Sequence, residues 1–293
     1  MSTLGPGAIP VVALLAALMV GNGANAGNLS PFSTVGIIVQ TGMGKAGLVG
    51  YEWTAWAANF AAHLLAGAIA WWLFGGRRLL RDGATVTLDT PLPFGRDQLI
   101  TLAIGSAWVL AVVFFKVNLA LASFSAAALV VLLRAGDDAA MLKQVPWAVL
   151  VMVCGVSVLI GVLERTGGLE LFTALLARLA TPETVNGMIA FVTGAISTYS
   201  STAAVVYPTF LPTVPGLVEQ LGGGDPLQIA LSINVGAALV DVSPLSTLGA
   251  LCIAALPKSE DPERLFRALL AWGLSMTVVG ALFSQLLVPW IAG

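Results

Sequence analysis

Charge is the scarcest property of this sequence, because only 10% of its 293 residues are Asp, Glu, Lys or Arg. Soluble proteins carry about 25% charged residues, so a water-facing surface cannot be built here. Instead, 58% of the residues are hydrophobic and the mean hydropathy is +0.93. The net charge of -2 offers no basic patch for nucleic acid. The composition predicts an integral membrane protein whose main partner is a lipid bilayer.

Residues that carry common enzyme chemistry are also scarce. His63 is the single histidine, which excludes a His-rich metal site and any credible Ser/His/Asp set. Cys154 and Cys252 lie in apolar runs without disulfide or metal-ligand spacing. The sequence contains no G-x-x-x-x-G-K-[ST], no H-E-x-x-H, and no G-x-G-x-x-G after a strand. These absences argue against an ATPase and an enzyme, and predict no cofactor other than possible Na⁺ ions.

Positive charge is missing from the N-terminal region, where the first Lys or Arg is Lys45. Residues 8–20 followed by Ala24-Asn25-Ala26 have the outline of a signal peptide, but a signal peptide begins with a basic region. A repeat described below also includes this segment. We therefore interpret it as part of the fold, with a signal peptide as the alternative.

Long apolar runs occupy much of the chain, and a helix needs about 20 apolar residues to cross a bilayer. The predicted spans are Trp53–Phe74, Leu99–Phe115, Leu119–Leu133, Val145–Leu163 and Leu265–Ile291. Three further segments, 8–42, 186–213 and 226–256, are interrupted by polar residues. Irregular backbone is tolerated at membrane depth only where protein or a wet cavity surrounds it. The interruptions predict a solute pathway, with surface loops as the alternative.

The basic residues of the loops predict the orientation, because they concentrate on the cytoplasmic side. We expect 186–213 to be a re-entrant hairpin, and each of the other two interrupted segments to cross once. Nine basic residues then share the cytoplasmic face of a multi-pass protein of the cell (inner) membrane: Arg77, Arg78, Arg81, Arg96, Arg134, Lys143, Lys258, Arg264 and Arg267. Lys45, Lys116, Arg165 and Arg178 lie on the other face.

An internal repeat is the strongest signal in the sequence. Ser30-Pro31-Phe32-Ser33-Thr34-Val35-Gly36 recurs 213 residues later as Ser243-Pro244-Leu245-Ser246-Thr247-Leu248-Gly249. The spans after the two copies, 51–75 and 264–288, align at the same offset. Five predicted crossings separate the copies, and an odd number reverses the chain direction. This predicts an all-α inverted-repeat transporter with a re-entrant hairpin and discontinuous helices.

The repeat predicts three domains. Residues 1–75 are the C-terminal part of the first repeat, 76–97 are a cytoplasmic linker, and 98–293 are a complete second repeat. A first-repeat counterpart of the hairpin is expected just before Met1. A fragment, a misplaced start codon and a natural half-length transporter are all open explanations.

Each Ser-Pro-x-Ser-Thr motif is predicted to end one half-helix and begin another. The start of a half-helix favours an anion, whereas the carbonyls that end the preceding one favour a cation. The predicted substrate-binding residues at the two breaks are Ser33, Thr34, Ser246 and Thr247. The predicted cation-binding residues are Asn25, Asn28, Gly236 and Asp241. The alternative is that these residues only cap helix ends.

The predicted hairpin tip forms a third polar cluster, Ser197-Thr198-Tyr199-Ser200-Ser201-Thr202. Ser200, Ser201 and Thr202 are further substrate-binding candidates, because hydroxyls beside a helix start suit a carboxylate or phosphate. A tight turn satisfying its own backbone is the alternative. An acid within the membrane is a functional candidate, so Asp241 is expected to bind Na⁺ or carry a proton, if it is not merely a cap. His63 is either a proton relay or a helix contact.

At these residues the chain resembles the ion-transporter superfamily, in particular its divalent anion:sodium symporters and malonate/dicarboxylate carriers. Residues 23–31 resemble the unwound segment of the first repeat, 200–203 resemble the Ser-Asn-Thr hairpin motif, and 241–249 resemble the second unwound segment. Ser201 differs, since it stands where those symporters have Asn. The resemblance covers nearly the whole chain but about two-thirds of a family member.

The resemblance implies a scaffold domain and a moving transport domain that work by an elevator-like motion in a homodimer. It implies di- or tricarboxylate substrates and Na⁺ coupling. Two alternatives remain: a proton-coupled exporter or antiporter in which Asp241 carries the proton, and a non-transporting membrane subunit that needs another chain.

Overall fold

The fold is helical throughout the residues described by the structure, which is a computed structural model. The structure describes residues 9–77, 94–115, 117–136, 165–256 and 261–293, with single positions between 143 and 162. Every regular element in these ranges is a helix and none is a strand, which confirms the predicted all-α class. The predicted span Val145–Leu163 and the linker 76–97 fall largely outside the described residues, as does Lys116.

The described helices are numbered here in chain order. They are α1 (Ile9–Ala26), α2 (Thr34–Lys45), α3 (Glu52–Leu73), α4 (Arg96–Phe115), α5 (Leu119–Leu132), α6 (Gly168–Ala177), α7 (Val185–Ser197), α8 (Tyr207–Phe210), α9 (Val214–Leu221), α10 (Pro226–Leu239), α11 (Thr247–Ala254), α12 (Pro262–Leu286) and α13 (Val288–Ala292).

The chain divides into two compact units, residues 84–150 and the remainder. In the smaller unit α4 packs against α5. Asn118 begins α5 by accepting a hydrogen bond from the Leu121 amide at 3.2 Å. The three predicted domains were defined by the internal repeat, whereas these two units are defined by contacts within the structure. The predicted domains therefore stay a prediction.

Both predicted broken helices have a non-helical link between two helical pieces. α1 continues to Ala26 and α2 starts at Thr34. In the second repeat α10 and a 3₁₀ turn end at Val242, and α11 starts at Thr247. Pro31 and Pro244 lie in these links, where a residue without an N–H cannot continue the preceding helix. Residues 27–33 and 240–246, the second of which includes the 3₁₀ turn, are called the first break and the second break below.

The predicted hairpin is present, but its return limb is longer than 186–213. α7 leads to the polar tip, and the return limb consists of a π-helix (Thr202–Val206), α8, a 3₁₀ turn and α9. Prolines stand in the first turns of α8, the 3₁₀ turn and α9, which divides the limb because proline suits a helix start. The limb ends at Gly222, which is left-handed at φ +66°.

The core of the larger unit surrounds α10. This helix packs against α7, α12 and α3, and residues 229–239 are all buried. Asp225 caps its start by accepting from the Leu227 amide at 2.8 Å. Among the described helices, α12 is long and apolar enough by itself to cross a membrane, with a mean hydropathy of 1.7. α3 begins and ends one residue before the predicted span Trp53–Phe74, and it contains the polar residues Asn59 and His63.

Candidate functional site

The first break is closed by the side chain of Ser33. Its hydroxyl donates to the Ser30 carbonyl at 2.9 Å and to the Asn28 carbonyl, and it accepts from the Gly36 amide at 2.8 Å. One hydroxyl therefore joins the end of the link to the first turn of α2. This is an N-cap that also fixes the path of the chain before the helix.

The second break repeats this arrangement bond for bond. The Ser246 hydroxyl donates to the Asp241 carbonyl at 2.6 Å and to the Ser243 carbonyl at 2.8 Å. It accepts from the Gly249 amide at 3.2 Å. The sequence repeat is thus also a repeat of local structure, and each serine hydroxyl is used within its own motif.

Replacing Ser246 by alanine removes these three hydrogen bonds. We expect it to lower the free energy of unfolding by about 1–2 kcal/mol, the usual value of an N-cap. Ser246→Thr keeps a hydroxyl and serves as the control. Denaturation of the purified protein in detergent measures the difference. Equal stability of the alanine and threonine variants would show that the cap contributes nothing.

The hairpin tip is bonded to the second break. The Thr202 hydroxyl donates to the Asp241 carboxylate at 3.2 Å and forms a short hydrogen bond with the Ser197 hydroxyl. Ser197 donates in turn to the Ala237 carbonyl near the end of α10 at 3.0 Å. This series of hydrogen bonds brings the Thr202 hydroxyl and the Asp241 carboxylate together beside the C-terminal end of α10.

A π-helix follows the tip directly. The amides of Val206 and Tyr207 bond to the carbonyls of residues five positions earlier, Ser201 and Thr202. Ser201 caps this segment, since its hydroxyl accepts from the Ala204 amide at 3.1 Å. The Tyr207 hydroxyl then donates to the Asn234 carbonyl within α10 at 3.2 Å. Single-turn π-helices are rare and concentrate at functional sites.

The first break is held by α3 instead of by a hairpin. The buried Asn59 side chain donates to the backbone carbonyl of Asn25 at 2.7 Å. The backbone N–H of Asn28 donates to the same carbonyl at 3.0 Å. Four residues along α3, His63 Nδ1 hydrogen-bonds to Asn22 Oδ1 at 3.0 Å. Asn59 and His63 therefore tie α3 to α1, and His63 serves as a helix contact.

Comparison with known proteins decides the family. The family model described as Citrate transporter, CitMHS, matches residues 5–236, which is more than half of the chain. The chain belongs to the citrate transporter family. It is accordingly a multi-pass transporter of small anions in a lipid bilayer, and not an enzyme. No curated protein and no solved structure matches the chain.

Membership of the citrate transporter family fits the predicted ion-transporter superfamily. The match does not distinguish the predicted dicarboxylate:sodium subtype from other members. The matched residues contain the first break and the whole hairpin. They end at Gly236, five positions before Asp241. The second break therefore lies outside the matched residues, and its equivalence to the first break rests on the repeated sequence and the repeated hydrogen bonds.

The structure places the predicted substrate residues at the hairpin tip and at the two breaks. Thr202 contacts Asp241 of the second break, whereas Ser200 donates to the Ile196 carbonyl at 2.9 Å inside the tip. Thr34 and Thr247 are the first residues of α2 and α11. In the described part of the chain, the hydrogen bonds of Ser33 join the first break to the first turn of α2 and do not reach the hairpin tip.

The predicted cation-binding residues have different structural roles. Gly236 lies inside α10, where a Cβ would be 2.4 Å from the Ala190 carbonyl of α7, so this glycine permits close helix packing. The Asn25 carbonyl already accepts two hydrogen bonds. Asp241 and Asn28 both lie at the breaks. The described residues contain no group of His, Cys, Asp and Glu suited to a metal ion.

Sequence reasoning missed Asn59 and the π-helix. Asn59 was detectable as an isolated amide in an otherwise apolar span, a residue type that hydrogen-bonds across helices in membranes. The π-helix has no signal in the sequence pattern, since its residues are ordinary small and β-branched ones.

Proposed function

We propose that the chain is a secondary active transporter of citrate and other small di- and tricarboxylates, with Na⁺ as the coupling ion. The observation that carries the proposal is the pair of identically bonded breaks, one of which is joined to a hydroxyl-rich hairpin tip. Membership of the citrate transporter family supports citrate and related carboxylates as the class of solute.

The anion would be bound by the amides at the starts of the half-helices. The first amides of a helix have no partner inside it, and Ser33 satisfies only that of Gly36. The amides of Thr34 and Val35 in α2, and of Thr247 and Leu248 in α11, are therefore available to carboxylate oxygens. Ser201 at the tip would add a hydroxyl donor to the same solute, and Ser200 would do so on releasing the Ile196 carbonyl.

The coupling cation would lie beside the second break. Asp241 supplies a carboxylate whose Oδ1 accepts from Thr202 at 3.2 Å, and oxygen ligands of this kind suit a hard cation. Asn28 occupies the equivalent position in the first break. We propose an elevator-like movement within a homodimer of the inner membrane, as the resemblance implies.

Uptake of labelled citrate, succinate and malonate by the full-length gene product in proteoliposomes tests the proposal. We expect citrate uptake driven by an inward Na⁺ gradient and lost when K⁺ replaces Na⁺. Uptake that ignores Na⁺ but follows a pH gradient would favour the second candidate, a proton-coupled transporter in which Asp241 carries the proton. Absence of uptake under every gradient would contradict both and favour a non-transporting subunit.

A further inference from the structure

Three hydrogen-bonding contacts join the hairpin tip to α10 and the second break, but the groups that form them carry only two hydroxyl protons. The Ser197 hydroxyl contacts the Ala237 carbonyl at 3.0 Å and the Thr202 hydroxyl. The Thr202 hydroxyl also contacts the Asp241 carboxylate at 3.2 Å. A carbonyl and an ionised carboxylate only accept hydrogen bonds, and a hydroxyl donates one. An ionised Asp241 therefore leaves one of the three contacts without a proton.

Burial gives this shortage a consequence. Ser197 is 2% exposed and Thr202 is 4% exposed, so bulk water does not replace a missing bond at either hydroxyl. The neighbouring hydroxyls of the tip are used elsewhere, since Thr198 donates to the Gly194 carbonyl at 3.1 Å and Ser200 donates to a carbonyl of α7. A buried polar atom that loses its partner is destabilising. The three contacts therefore compete for two protons.

The state of Asp241 decides which contact loses its proton. A free carboxylate is the strongest acceptor of the set, so Thr202 donates to it. Ser197 then donates either to Thr202 or to Ala237, and cannot do both. When Asp241 is a cation ligand, Thr202 can donate to Ser197 and turn its own oxygen toward the cation. Ser197 then donates to the Ala237 carbonyl, and the shortage is removed.

We propose that Ser197 and Thr202 form a latch, which holds the hairpin tip on α10 when Asp241 binds Na⁺ and loosens when no cation is bound. Ser197 is a positioning residue in this latch, because it contacts Thr202 and α10 rather than Asp241 itself. The inference rests on the proposed function, in which Asp241 is a cation ligand. It adds the side chain through which the cation at Asp241 controls the tip.

The loosening is confined to residues 198–206, because both limbs of the hairpin have other anchors on α10. In the first limb, a Cβ on Gly194 would lie 2.9 Å from the Gly236 carbonyl, so the two backbones are in close contact. In the return limb, the Tyr207 hydroxyl donates to the Asn234 carbonyl at 3.2 Å. Residues 198–206 lie between these anchors and include the π-helix Thr202–Val206.

Hydrogen–deuterium exchange detected by mass spectrometry measures the latch without measuring transport. The complete gene product, purified in detergent, is compared in NaCl and in KCl at equal concentration and pH. We expect Na⁺ to slow exchange in peptides covering residues 198–206 by roughly fivefold, the factor that corresponds to one hydrogen bond. Exchange in α5, which lies in the other compact unit, should not change. Equal exchange of residues 198–206 in the two salts would overturn the latch.

Two substitutions predict opposite results that a merely structural role would not produce. Ser197→Ala removes the anchor, so exchange stays fast in both salts. Asp241→Asn supplies an amide donor for the third contact, so exchange is slow in both salts. Fast exchange of Asp241→Asn in both salts would contradict the proton count on which the latch depends.

Thr193→Val is the matched control in the same limb of the hairpin. Its hydroxyl donates to the carbonyls of Ile189 and Ala190 within α7, so this variant should respond to Na⁺ as the unaltered protein does. A Ser197→Ala protein that also responds normally to Na⁺ would overturn the latch. Citrate uptake in proteoliposomes is measured separately, so Na⁺-driven uptake alongside that result would leave the proposed function intact.

Discussion

Replacing Asp241 by asparagine is expected to reduce citrate uptake by roughly ten- to a hundredfold. Its carboxylate accepts the Thr202 hydroxyl at 3.2 Å and lies where the hairpin tip meets the second break. Hydrogen bonds to a charged group contribute about 1.5–3 kcal/mol, and about 1.4 kcal/mol corresponds to a tenfold change. The amide also removes the negative charge that would bind the coupling cation. Initial uptake rates in proteoliposomes measure the effect.

Asp225→Asn provides the matched control for this substitution. Asp225 begins α10, the same helix that leads to Asp241, but it is exposed. It acts as an N-cap, a role that asparagine fills about equally well. We expect this variant to keep normal uptake and stability. Unchanged uptake by Asp241→Asn would remove Asp241 from the transport site.

The two coupling ions predict different residual behaviour for Asp241→Asn. If Asp241 binds Na⁺, the variant requires a higher Na⁺ concentration for half-maximal uptake, because one ligand charge is lost. If Asp241 carries a proton, the variant loses the response of uptake to a pH gradient, and Na⁺ affects uptake neither before nor after the substitution. Measuring uptake against both gradients in the same preparation separates these results.

Replacing Gly249 by alanine is expected to destabilise the protein by about 3 kcal/mol and to abolish uptake. A Cβ at this position would lie 2.0 Å from the Ser243 carbonyl oxygen and 2.5 Å from its carbon. Both are backbone atoms of the link, so a rotamer change cannot relieve the clash. The link would have to open, which breaks the Ser246 hydrogen bonds. Gly36 has the same contact with Ser30, at 1.9 Å.

The expected loss of stability in Gly249→Ala is informative because helix propensity alone predicts a gain of stability. Glycine within a helix is less favourable than alanine by about 1 kcal/mol, so an unconstrained site would be stabilised. Gly44→Ala in α2, where nothing lies within 4 Å of the added Cβ, is the control that should show this gain. A Gly249→Ala protein as stable as Gly44→Ala would mean that the break does not close as described.

The breaks were predictable from the sequence because their chemistry is local. A proline removes an amide and the following serine caps the next helix, so Ser-Pro-x-Ser-Thr predicts an interruption wherever it occurs. Its recurrence at Ser30 and Ser243 predicted two interruptions in one chain. The hairpin was equally accessible, since two short apolar runs surround six polar residues.

Features that depend on tertiary contacts were not predictable in this way. Residues 23–31 were expected to be unwound, but α1 continues to Ala26, and its last turn is bonded through the Asn25 carbonyl to Asn59, 34 residues away. Gly236 was expected near cation-binding carbonyls, yet it lies where α7 and α10 make their closest approach. Both contacts join residues that are more than 30 positions apart in the sequence, so a local sequence pattern cannot predict them.

The most direct test of the two-break site is a structure of the complete gene product determined with bound citrate. The account predicts that citrate carboxylates lie within hydrogen-bonding distance of the hairpin tip and of the amides that begin α2 and α11. Citrate bound elsewhere, with Thr34 and Thr247 too far apart to contact one molecule, would contradict it.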